Sequence, residues 1–452
     1  MTPPKPASRP DKVSLWRYLQ LFRQDILSAQ PARLYRAWMA EFRTPFFRSY
    51  MCNDPALVDL VLKQRPQDFP KSDRIREGLT LLLGNSVFVT NGAIWERQRR
   101  IIDPAFEGGR LRDTFPAMWA AGRAMLDRLA PLADGPPVEM EFETSHAAAD
   151  VIFRTLFSIP IEDSVAGAVF HEFRRHQKAQ PVVNLGALLP LPRWVPRFHR
   201  RETRATAARI RALITRLTAE RAASITAGTA PDDLATKIMT FPDPETGQRF
   251  DTEEMVDQVA IFFLAGHETS ASALAWALYL LATHPEWQDR LAAEAQAELT
   301  DSADFAVIGR LKIARAVFRE TLRLYPPVPM MVREARCPVT LRDRRAPKGA
   351  QIVLSPWHLH RHERLWENAD SFDPARFDSE NGRACLRSAY IPFSAGQRVC
   401  PGAGFAMVEG PLLLAMLAQR FRVAALADRP PVPVAHLTVR ARDGIWLKLS
   451  AR

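Results

Sequence analysis

The sequence has few cysteines. Only four occur among 452 residues, at Cys52, Cys337, Cys385 and Cys400. None belongs to a Cys-x-x-Cys motif or to a cysteine and histidine cluster with the spacing of a zinc site. Four cysteines are also too few for a disulfide scaffold in a chain of this length. We therefore expect a protein of a reducing compartment, with the cytoplasm as the default.

The sequence also lacks an obvious targeting or membrane-spanning segment. Its first 22 residues contain no apolar stretch of the signal-peptide or anchor type. Residues 259–283 are apolar enough to span a bilayer, but His267, Glu268 and Thr269 lie in the middle, and polar residues are costly in lipid. We expect a buried helix here, in a soluble cytoplasmic protein without a transmembrane anchor.

Low-complexity tracts, internal repeats and long linkers are absent as well. With 47% hydrophobic and 25% charged residues the composition is that of a globular protein, and we expect one domain over residues 1–452. The net charge is +11, which would permit binding to anionic partners. The arginines are scattered, however, without a basic tail or an aromatic-basic motif, so we expect no nucleic-acid binding.

Helical periodicity dominates the chain. Asp54 and Pro55 are a typical helix cap and first helical residue for 56–65. Further helices are predicted at 93–103, 110–131, 141–158, 162–177, 199–225, 251–283, 285–299, 309–324 and 403–420. Strands are predicted late in the chain, at 351–356 and in hairpins near 337–342 and 432–449. The fold class is therefore mainly α with a minor β portion. Residues 182–198 are predicted to be either a packed loop or an apolar lid that could touch a membrane.

One cysteine stands where a loop leads into a predicted helix. The stretch FSAGQRVCPG, residues 393–402, places Cys400 directly before the helix predicted at 403–420. The N–H groups of a helix N-terminus favour a thiolate. Three roles are open for this residue on these grounds: a nucleophile, a packed structural thiol, or a metal ligand.

The spacing around this cysteine resembles the haem-binding loop of the cytochromes P450. The pattern F-x-x-G-x-R-x-C-x-G is carried by Phe393, Gly396, Arg398, Cys400 and Gly402. The resemblance implies that Cys400 is the thiolate ligand of the haem iron and that Phe393 packs beside its sulfur. It also implies that the two glycines make room for the cofactor and that Arg398 reaches a haem propionate.

A second motif is similar to the distal helix of the same family. Residues 265–269, AGHET, match the pattern A/G-G-x-D/E-T. The resemblance implies that Glu268 and Thr269 deliver protons to dioxygen, and that Ala265 and Gly266 keep side-chain bulk away from the iron. From the residues alone, a threonine hydroxyl that bonds back to its own helix is the alternative. Because position 265 is alanine, an ester link to the haem is not expected, and the cofactor is expected to be haem b.

Further matches follow the order of the family's motifs. Trp95 and Arg99 resemble its W-x-x-x-R pair, and they are implied, with Arg333, to contact the propionates. Glu320, Arg323 and Arg376 resemble its E-x-x-R pair and the arginine that joins it. We expect this trio to maintain the fold, although Glu320 and Arg323 alone could be an ordinary surface pair.

The resemblance also implies a substrate site. Apolar residues are expected to contact a lipophilic substrate such as a fatty acid, terpenoid or carotenoid, with ordinary core packing as the alternative for each of them. These residues are Val87, Phe88, Ile261, Phe262, Ala265, Pro329, Met330 and Met331.

No fused redox domain is recognisable, so electrons are expected from a separate ferredoxin or flavoprotein. We expect a basic docking surface among the exposed cations of residues 96–100 together with Arg383, Arg387 and Arg398, with Arg97 and Arg100 as the residues to test. The expected activity is monooxygenation with O2. The alternatives are a haem-thiolate peroxygenase or isomerase, a non-catalytic haem-binding protein, and a protein without haem.

Overall fold

A computed structural model describes residues 2–43, 48–106, 109–179, 200–302 and 304–452. The helices of the first half are α1 (Leu15–Gln24), α2 (Pro55–Asp59), α3 (Asp73–Leu83), α4 (Gly92–Phe106), α5 (Arg110–Leu129), α6 (Met140–Phe157), α7 (Ser164–Ala179) and α8 (Arg201–Thr226). Those of the second half are α9 (Leu234–Thr240), α10 (Thr252–Thr283), α11 (Pro285–Glu298), α12 (Val307–Arg310), α13 (Lys312–Leu324), α14 (Pro356–Leu359), α15 (Glu380–Ser388) and α16 (Ala403–Arg420).

The strands form small sheets beside these helices. They are β1 (Met39–Arg43), β2 (Arg48–Cys52), β3 (Val138–Glu139), β4 (Met331–Glu334), β5 (Val339–Leu341), β6 (Arg344–Ala346), β7 (Gln351–Leu354), β8 (Phe421–Ala425), β9 (Pro433–Ala435), β10 (Val439–Ala441) and β11 (Trp446–Ala451). The largest described sheet has the order β1-β2-β7-β4, with β2 parallel to β7 and the other pairs antiparallel. The other sheets are β3-β11-β8, β9-β10 and β5-β6.

The long helix α10 runs through the centre of the helical part. It begins at a capping box, in which Asp251 accepts a hydrogen bond from the Glu254 N–H and Glu254 accepts one from the Asp251 N–H. It ends just before Pro285, which begins α11. Helices α6, α8, α13 and α16 pack against it. At Gly266 a Cβ atom would lie 2.4 Å from the Cδ1 of Ile152, so this glycine lets α6 approach closely.

The predicted mainly α fold with a minor β portion is confirmed, and the predicted helices and late strands fall within a few residues of the observed ones. Most of the described strands lie late in the chain, as predicted, but β1 and β2, which were not predicted, supply half of the four-stranded sheet. These two strands have only five residues each and are about half polar, so their sequences show no clear strand pattern. Within the described ranges, no helix is both long and apolar enough to cross a membrane. The segment 182–198 lies outside the described residues.

Candidate functional site

The Cys400 loop is held in a tight conformation between a 3-10 turn, Gly396–Arg398, and helix α16. The Cys400 N–H donates to the Phe393 carbonyl at 2.9 Å. Gly396 has φ +66°, and a Cβ atom there would lie 2.0 Å from the Leu62 carbonyl oxygen. Only glycine fits both constraints. A Cβ atom on Gly402 would lie 3.9 Å from the Cys400 sulfur, its nearest neighbour in the described chain, so this side of the loop can be approached closely.

The Cys400 thiol lies in a recess of the protein. The residue is exposed, yet burial is the main influence on its pKa, which is raised above the ordinary value. The Gly402 N–H and the cations Arg99 and Lys71 oppose this effect. The free thiol is therefore protonated at neutral pH, and a bound metal cation would supply the charge that a thiolate needs. A thiol in a recess of an otherwise exposed residue, near two cations, suits a metal ligand better than a packed thiol.

One face of α10 is open although the helix is otherwise buried. Ala265 is exposed and Thr269 is half-buried, while Leu264 and Ser270 on either side are buried. Ser270 donates to the Glu409 carboxylate at 2.6 Å, which joins α10 to α16, the helix that follows Cys400. The helix of the distal motif is thus bonded directly to the helix that follows the Cys400 loop.

Four cations form what we call the basic cluster: Lys71, Arg99, Arg333 and Arg398. Burial, together with repulsion from its neighbours Arg333, Arg398 and Arg99, holds the pKa of Lys71 well below its usual value. Burial lowers the pKa of Arg333 to about 10, and burial with repulsion from Arg333 and Arg99 lowers that of Arg398 to about 9. These cations lie close enough to destabilise one another.

The basic cluster has little negative charge to balance it. Arg99 pairs with Asp103 at 2.7 Å, but in the described chain Lys71, Arg333 and Arg398 form no ion pair. The only hydrogen bond of the Arg333 side chain there is a 3.3 Å contact with the Val332 carbonyl. Arg333 is nevertheless 4% exposed. Buried cations without counter-ions favour an anionic ligand.

Neutral groups complete the cluster. Arg398 donates to the Thr90 carbonyl at 3.2 Å and to the Asn91 side chain at 2.8 Å. Its guanidinium lies 4.1 Å from the ring centroid of Trp95, a cation–π contact. Arg99 donates to the Val399 carbonyl at 2.7 Å, directly beside Cys400. Arg99, Arg398 and Trp95 would suit the two propionates of a haem whose iron Cys400 would bind.

The sequence gives no indication that Lys71 belongs to the basic cluster. It precedes the cap of α3 without any motif, and it joins the cluster through tertiary contacts alone. A bridge pairs it with Arg333, and its Nζ donates to the Phe88 carbonyl and lies 3.6 Å from the Phe88 ring centroid.

The acid and the alcohol of the distal motif point to different partners. Glu268 Oε1 accepts from Thr438 Oγ1 at 2.5 Å and from Arg440 Nη2 at 2.9 Å. Thr269 Oγ1 donates back to the Ala265 carbonyl at 2.5 Å. That back-bond is the alternative noted from the sequence, although the hydroxyl oxygen can still accept a hydrogen bond.

Glu320, Arg323 and Arg376 meet as the sequence predicts. Arg323 makes a bidentate pair with Glu320, with both distances 2.8 Å and both side chains fully buried. Arg376 Nε lies 3.2 Å from Glu320 Oε1. The guanidinium of Arg323 also donates to the carbonyls of His360 and Ala369. His360 in turn accepts from the Ile391 N–H at 2.9 Å, just before the Cys400 loop.

The predicted substrate residues divide into two groups. Val87 and Phe88 are half-buried, and the Val87 N–H donates to Gln258 on α10 at 3.0 Å, which places this segment beside Ile261 and Phe262. Gly84, with φ +50°, lies so close to Asp257 that no other residue fits. Met330 is half-buried against the main helical core.

Other members of the substrate set pack differently. Ile261 is buried in the helical core. Pro329 is buried, and its carbonyl accepts from Ser355. Met331 begins β4 opposite Leu354 and packs against the core of the sheet. Ordinary core packing would be sufficient for the buried Ile261 and Pro329, whereas Met331 is half-buried, and contact of these three with a substrate stays a prediction.

The predicted docking cations are also divided. Arg97 pairs with Glu254 at 2.5 Å and Arg100 with Asp243 at 2.6 Å, so both serve contacts inside the fold. Arg398 belongs to the basic cluster. Arg383 and Arg387 are exposed on α15 and form no ion pair within the described ranges.

Comparison with known proteins identifies the family of this chain. The family model described as Cytochrome P450 matches residues 32–448. Cyclooctat-9-en-7-ol 5-monooxygenase of Streptomyces melanosporofaciens is 32% identical over 421 residues, which cover 91% of this chain and 86% of the relative. Cytochrome P450 4A14 of Rattus norvegicus is 30% identical over 416 residues, covering 88% and 80%. Cytochrome P450 4X1 of Homo sapiens is 28% identical over 447 residues, covering 94% and 85%.

The chain therefore belongs to the cytochrome P450 family. It is an oxidoreductase of the monooxygenase type, with a haem cofactor, and it requires O2 and a redox partner.

Proposed function

We propose that Cys400 supplies the thiolate ligand of haem b and that the protein inserts one oxygen atom of O2 into a lipophilic substrate. The observation that carries this proposal is an exposed cysteine, Cys400, beside buried cations, Lys71 and Arg333, that form no ion pair among the described residues. A thiolate ligand gives bound haem the electron density that favours cleavage of the O–O bond. Arg99, Arg333, Arg398 and Lys71 would hold the propionates, with Trp95 beneath Arg398.

The residues of the distal motif would position a proton donor and keep long side chains away from dioxygen. Ala265 leaves the open face of α10 free of a long side chain, and the Thr269 hydroxyl is held beside it by the Ala265 carbonyl. The Thr269 oxygen can accept a hydrogen bond from a water molecule, and the Glu268 carboxylate relays a proton from solvent to this water. Gly266 serves mainly the close contact with Ile152.

We propose a lipophilic substrate of the terpenoid or fatty-acid class. Phe88, Val87, Phe262 and Met330 remain half-buried and apolar, as residues that border a lipophilic ligand are. The first of the relatives above acts, by its name, on an unsaturated cyclic alcohol. This favours a terpenoid over a linear acid as the first class to test.

Electrons would come from a separate acidic ferredoxin or a flavoprotein. Arg383 and Arg387 on α15 are the exposed members of the set predicted to meet it. The trio of Glu320, Arg323 and Arg376 would maintain the fold, because its hydrogen bonds fasten the segments that lead to the Cys400 loop.

The experiment is a screen for substrates followed by product analysis. Terpenoid alcohols, fatty acids and carotenoids are added to the purified holoenzyme, and a shift of the iron spin state reports binding. Compounds that bind are then incubated with NADPH, a surrogate ferredoxin and its reductase, under isotopically labelled O2. One labelled oxygen atom in the product supports monooxygenation. Binding without any product from every compound would favour a non-catalytic haem protein.

Thr269→Ala separates the monooxygenase from a peroxygenase or isomerase. A monooxygenase of this kind loses most of its O2-driven turnover in this variant. Unchanged turnover, with hydrogen peroxide serving equally well as oxidant, would favour the alternative.

A further inference from the structure

The hairpin of β9 and β10 holds one oxygen of Glu268. Oε1 accepts from Thr438 at 2.5 Å and from Arg440 at 2.9 Å, and the side chains of Glu268 and Arg440 are 6% and 37% exposed. Neither partner belongs to a motif singled out in the sequence. They lie about 170 residues away from Glu268 in the chain, at separations of 170 and 172. A buried carboxylate is therefore joined to the surface by one arginine.

The second carboxylate oxygen of Glu268 has no partner among the described residues. Oε2 of Glu268 makes no hydrogen bond within the described part of the chain, and it is not among the oxygens that are both enclosed and unpaired. Water can therefore reach it. A carboxylate fixed through one oxygen and open at the other can take up and release a proton without moving.

The hairpin that carries Arg440 is itself fastened to α10. Ser272, one turn after Glu268, donates to the Val439 carbonyl, and the Val439 N–H donates to the Pro327 carbonyl at 2.9 Å. On the other side of the hairpin, the Ala435 N–H donates to Asp25 at 2.7 Å. These bonds fix the position of β10, and hence of Arg440, relative to Glu268.

Other charged groups face the same arginine. The Ala441 N–H donates to Glu141 on α6 at 3.2 Å, and the charges of Glu141 and Arg440 act on each other. Glu139 on β3 and Arg174 on α7 act on Glu141 as well. His436, from the turn of the hairpin, senses both Glu268 and Arg440. The charge of Arg440 thus acts on two carboxyl groups, that of Glu268 by direct contact and that of Glu141 without one.

We propose that Arg440, with Thr438, is the positioning unit that keeps the Glu268 carboxylate in place for proton delivery. The inference deepens the proposed function and rests on it. Oε2 takes a proton from a hydronium ion of the solvent and gives it to the water held at Thr269, and that water gives one of its own protons to the reacting oxygen. The carboxylate is then again ionised and the proton count of the protein is unchanged. A purely structural ion pair would make no such contribution to turnover.

The test compares Arg440→Gln with Arg442→Gln, an exposed arginine two residues further along that forms no ion pair in the described chain. Styrene serves as a small lipophilic probe of the holoenzyme. One assay uses NADPH, a surrogate ferredoxin and its reductase with O2, and it measures styrene oxide and hydrogen peroxide per NADPH consumed. The other assay supplies hydrogen peroxide as the oxidant.

We expect Arg440→Gln to lower the yield of styrene oxide per NADPH about ten-fold, with peroxide formed instead, because a mispositioned acid delivers its proton poorly. Peroxide-driven epoxidation stays at the wild-type rate, since the added peroxide already carries the protons. Arg440→Lys restores most of the yield, and Arg442→Gln behaves as the wild type.

A second readout does not depend on turnover. Glu268→Gln, Arg440→Gln and the double variant are compared by the thermal unfolding midpoint of the holoenzyme. We expect the loss in the double variant to be smaller than the sum of the two single losses, because each single variant already breaks the pair.

The outcomes separate the inference from the proposed function. If Glu268→Gln uncouples the enzyme but Arg440→Gln does not, the inference is overturned while the proposed function stands. If Arg440→Gln slows both assays equally, its role is structural and the inference is overturned as well. If Glu268→Gln itself leaves the O2-driven yield unchanged, the proposed proton route fails.

Discussion

Ser270 on the long helix α10 and Glu409 on α16 share a hydrogen bond of 2.6 Å in the buried core. Ser270 follows Thr269, and Glu409 lies nine positions after Cys400. This bond therefore joins the helix of the distal motif to the helix that follows the Cys400 loop. Burial raises the pKa of Glu409 to about 8, and the bond from Ser270 opposes the shift. Glu409 Oε1 is buried without a partner in the described residues. Glu409 is therefore a neutral acid at pH 7.

The protonated state of Glu409 makes a prediction about pH. The folded protein holds this proton up to pH 8, whereas the unfolded chain releases it near pH 4.5. The folded state then binds more protons, so the contribution to the free energy of unfolding falls as pH rises between these values, by about 1.4 kcal/mol per pH unit. Glu409→Gln removes this dependence.

Urea unfolding of both proteins at pH 5, 7 and 9 measures the effect. We expect the free energy of unfolding of Glu409→Gln, relative to that of the wild type, to increase with pH. Parallel pH dependences of the two proteins would contradict a buried neutral Glu409.

The ion pair of Arg323 with Glu320 makes a prediction about stability. Arg323→Leu leaves the Glu320 carboxylate buried with only Arg376 nearby, and we expect a loss of about 3–5 kcal/mol in the free energy of unfolding. Arg310→Leu breaks a pair with Glu298 whose side chains are 47% and 33% exposed, and we expect it to cost less than about 1 kcal/mol. Urea denaturation measures both variants. Equal losses would mean that burial of the first pair has no energetic consequence.

Arg333 makes a prediction about retention of the cofactor. Its guanidinium is buried without an ion pair among the described residues, so the anionic propionates would be its main partners. We expect Arg333→Leu to lose haem about 10 to 100 times faster, equivalent to about 1.5–3 kcal/mol for a charged hydrogen bond. The control is Arg336→Leu, an exposed arginine three residues later. Transfer of haem to apomyoglobin gives the rates, and an unchanged rate for Arg333→Leu would remove the propionate role.

The electron-transfer surface is tested at Arg383 and Arg387 rather than at Arg97 and Arg100. Reversing the charges of Arg97 and Arg100 would break their ion pairs with Glu254 and Asp243. An effect on docking could then not be separated from an effect on folding. We expect the double variant R383E/R387E to slow reduction by an acidic ferredoxin about ten-fold at low ionic strength, with the difference shrinking as salt is added.

Arg17→Glu on α1, also exposed, serves as the control for this charge reversal. Stopped-flow reduction at several ionic strengths measures the rates. A reduction rate that is insensitive to both charge and salt would rule out this docking surface.

Local patterns predicted much of the fold and part of the site. Helix α10 could be located because its long apolar run and the Pro285 that follows it lie within one stretch of sequence. The Cys400 loop could be recognised because its residues are fixed at short spacings by one tight turn, as Gly396 demonstrates.

Features formed by distant parts of the chain could not be predicted in this way. Lys71, Glu409 and Arg440 acquire their roles from contacts with segments far away in sequence, and no spacing reveals such contacts. The pairing of Arg97 with Glu254 likewise depends on how α4 meets the start of α10. The early strands β1 and β2 are too short for a clear alternation, and they are recognisable only once β7 lies beside them.

The most direct test of the account is the absorption spectrum of the reduced, carbon monoxide-bound protein. A thiolate ligand from Cys400 predicts a strongly red-shifted Soret band, and Cys400→Ser should lose that band. Absence of the red-shifted band from the wild-type spectrum would contradict the assignment of Cys400 as the iron ligand. Survival of that band in Cys400→Ser would contradict it as well.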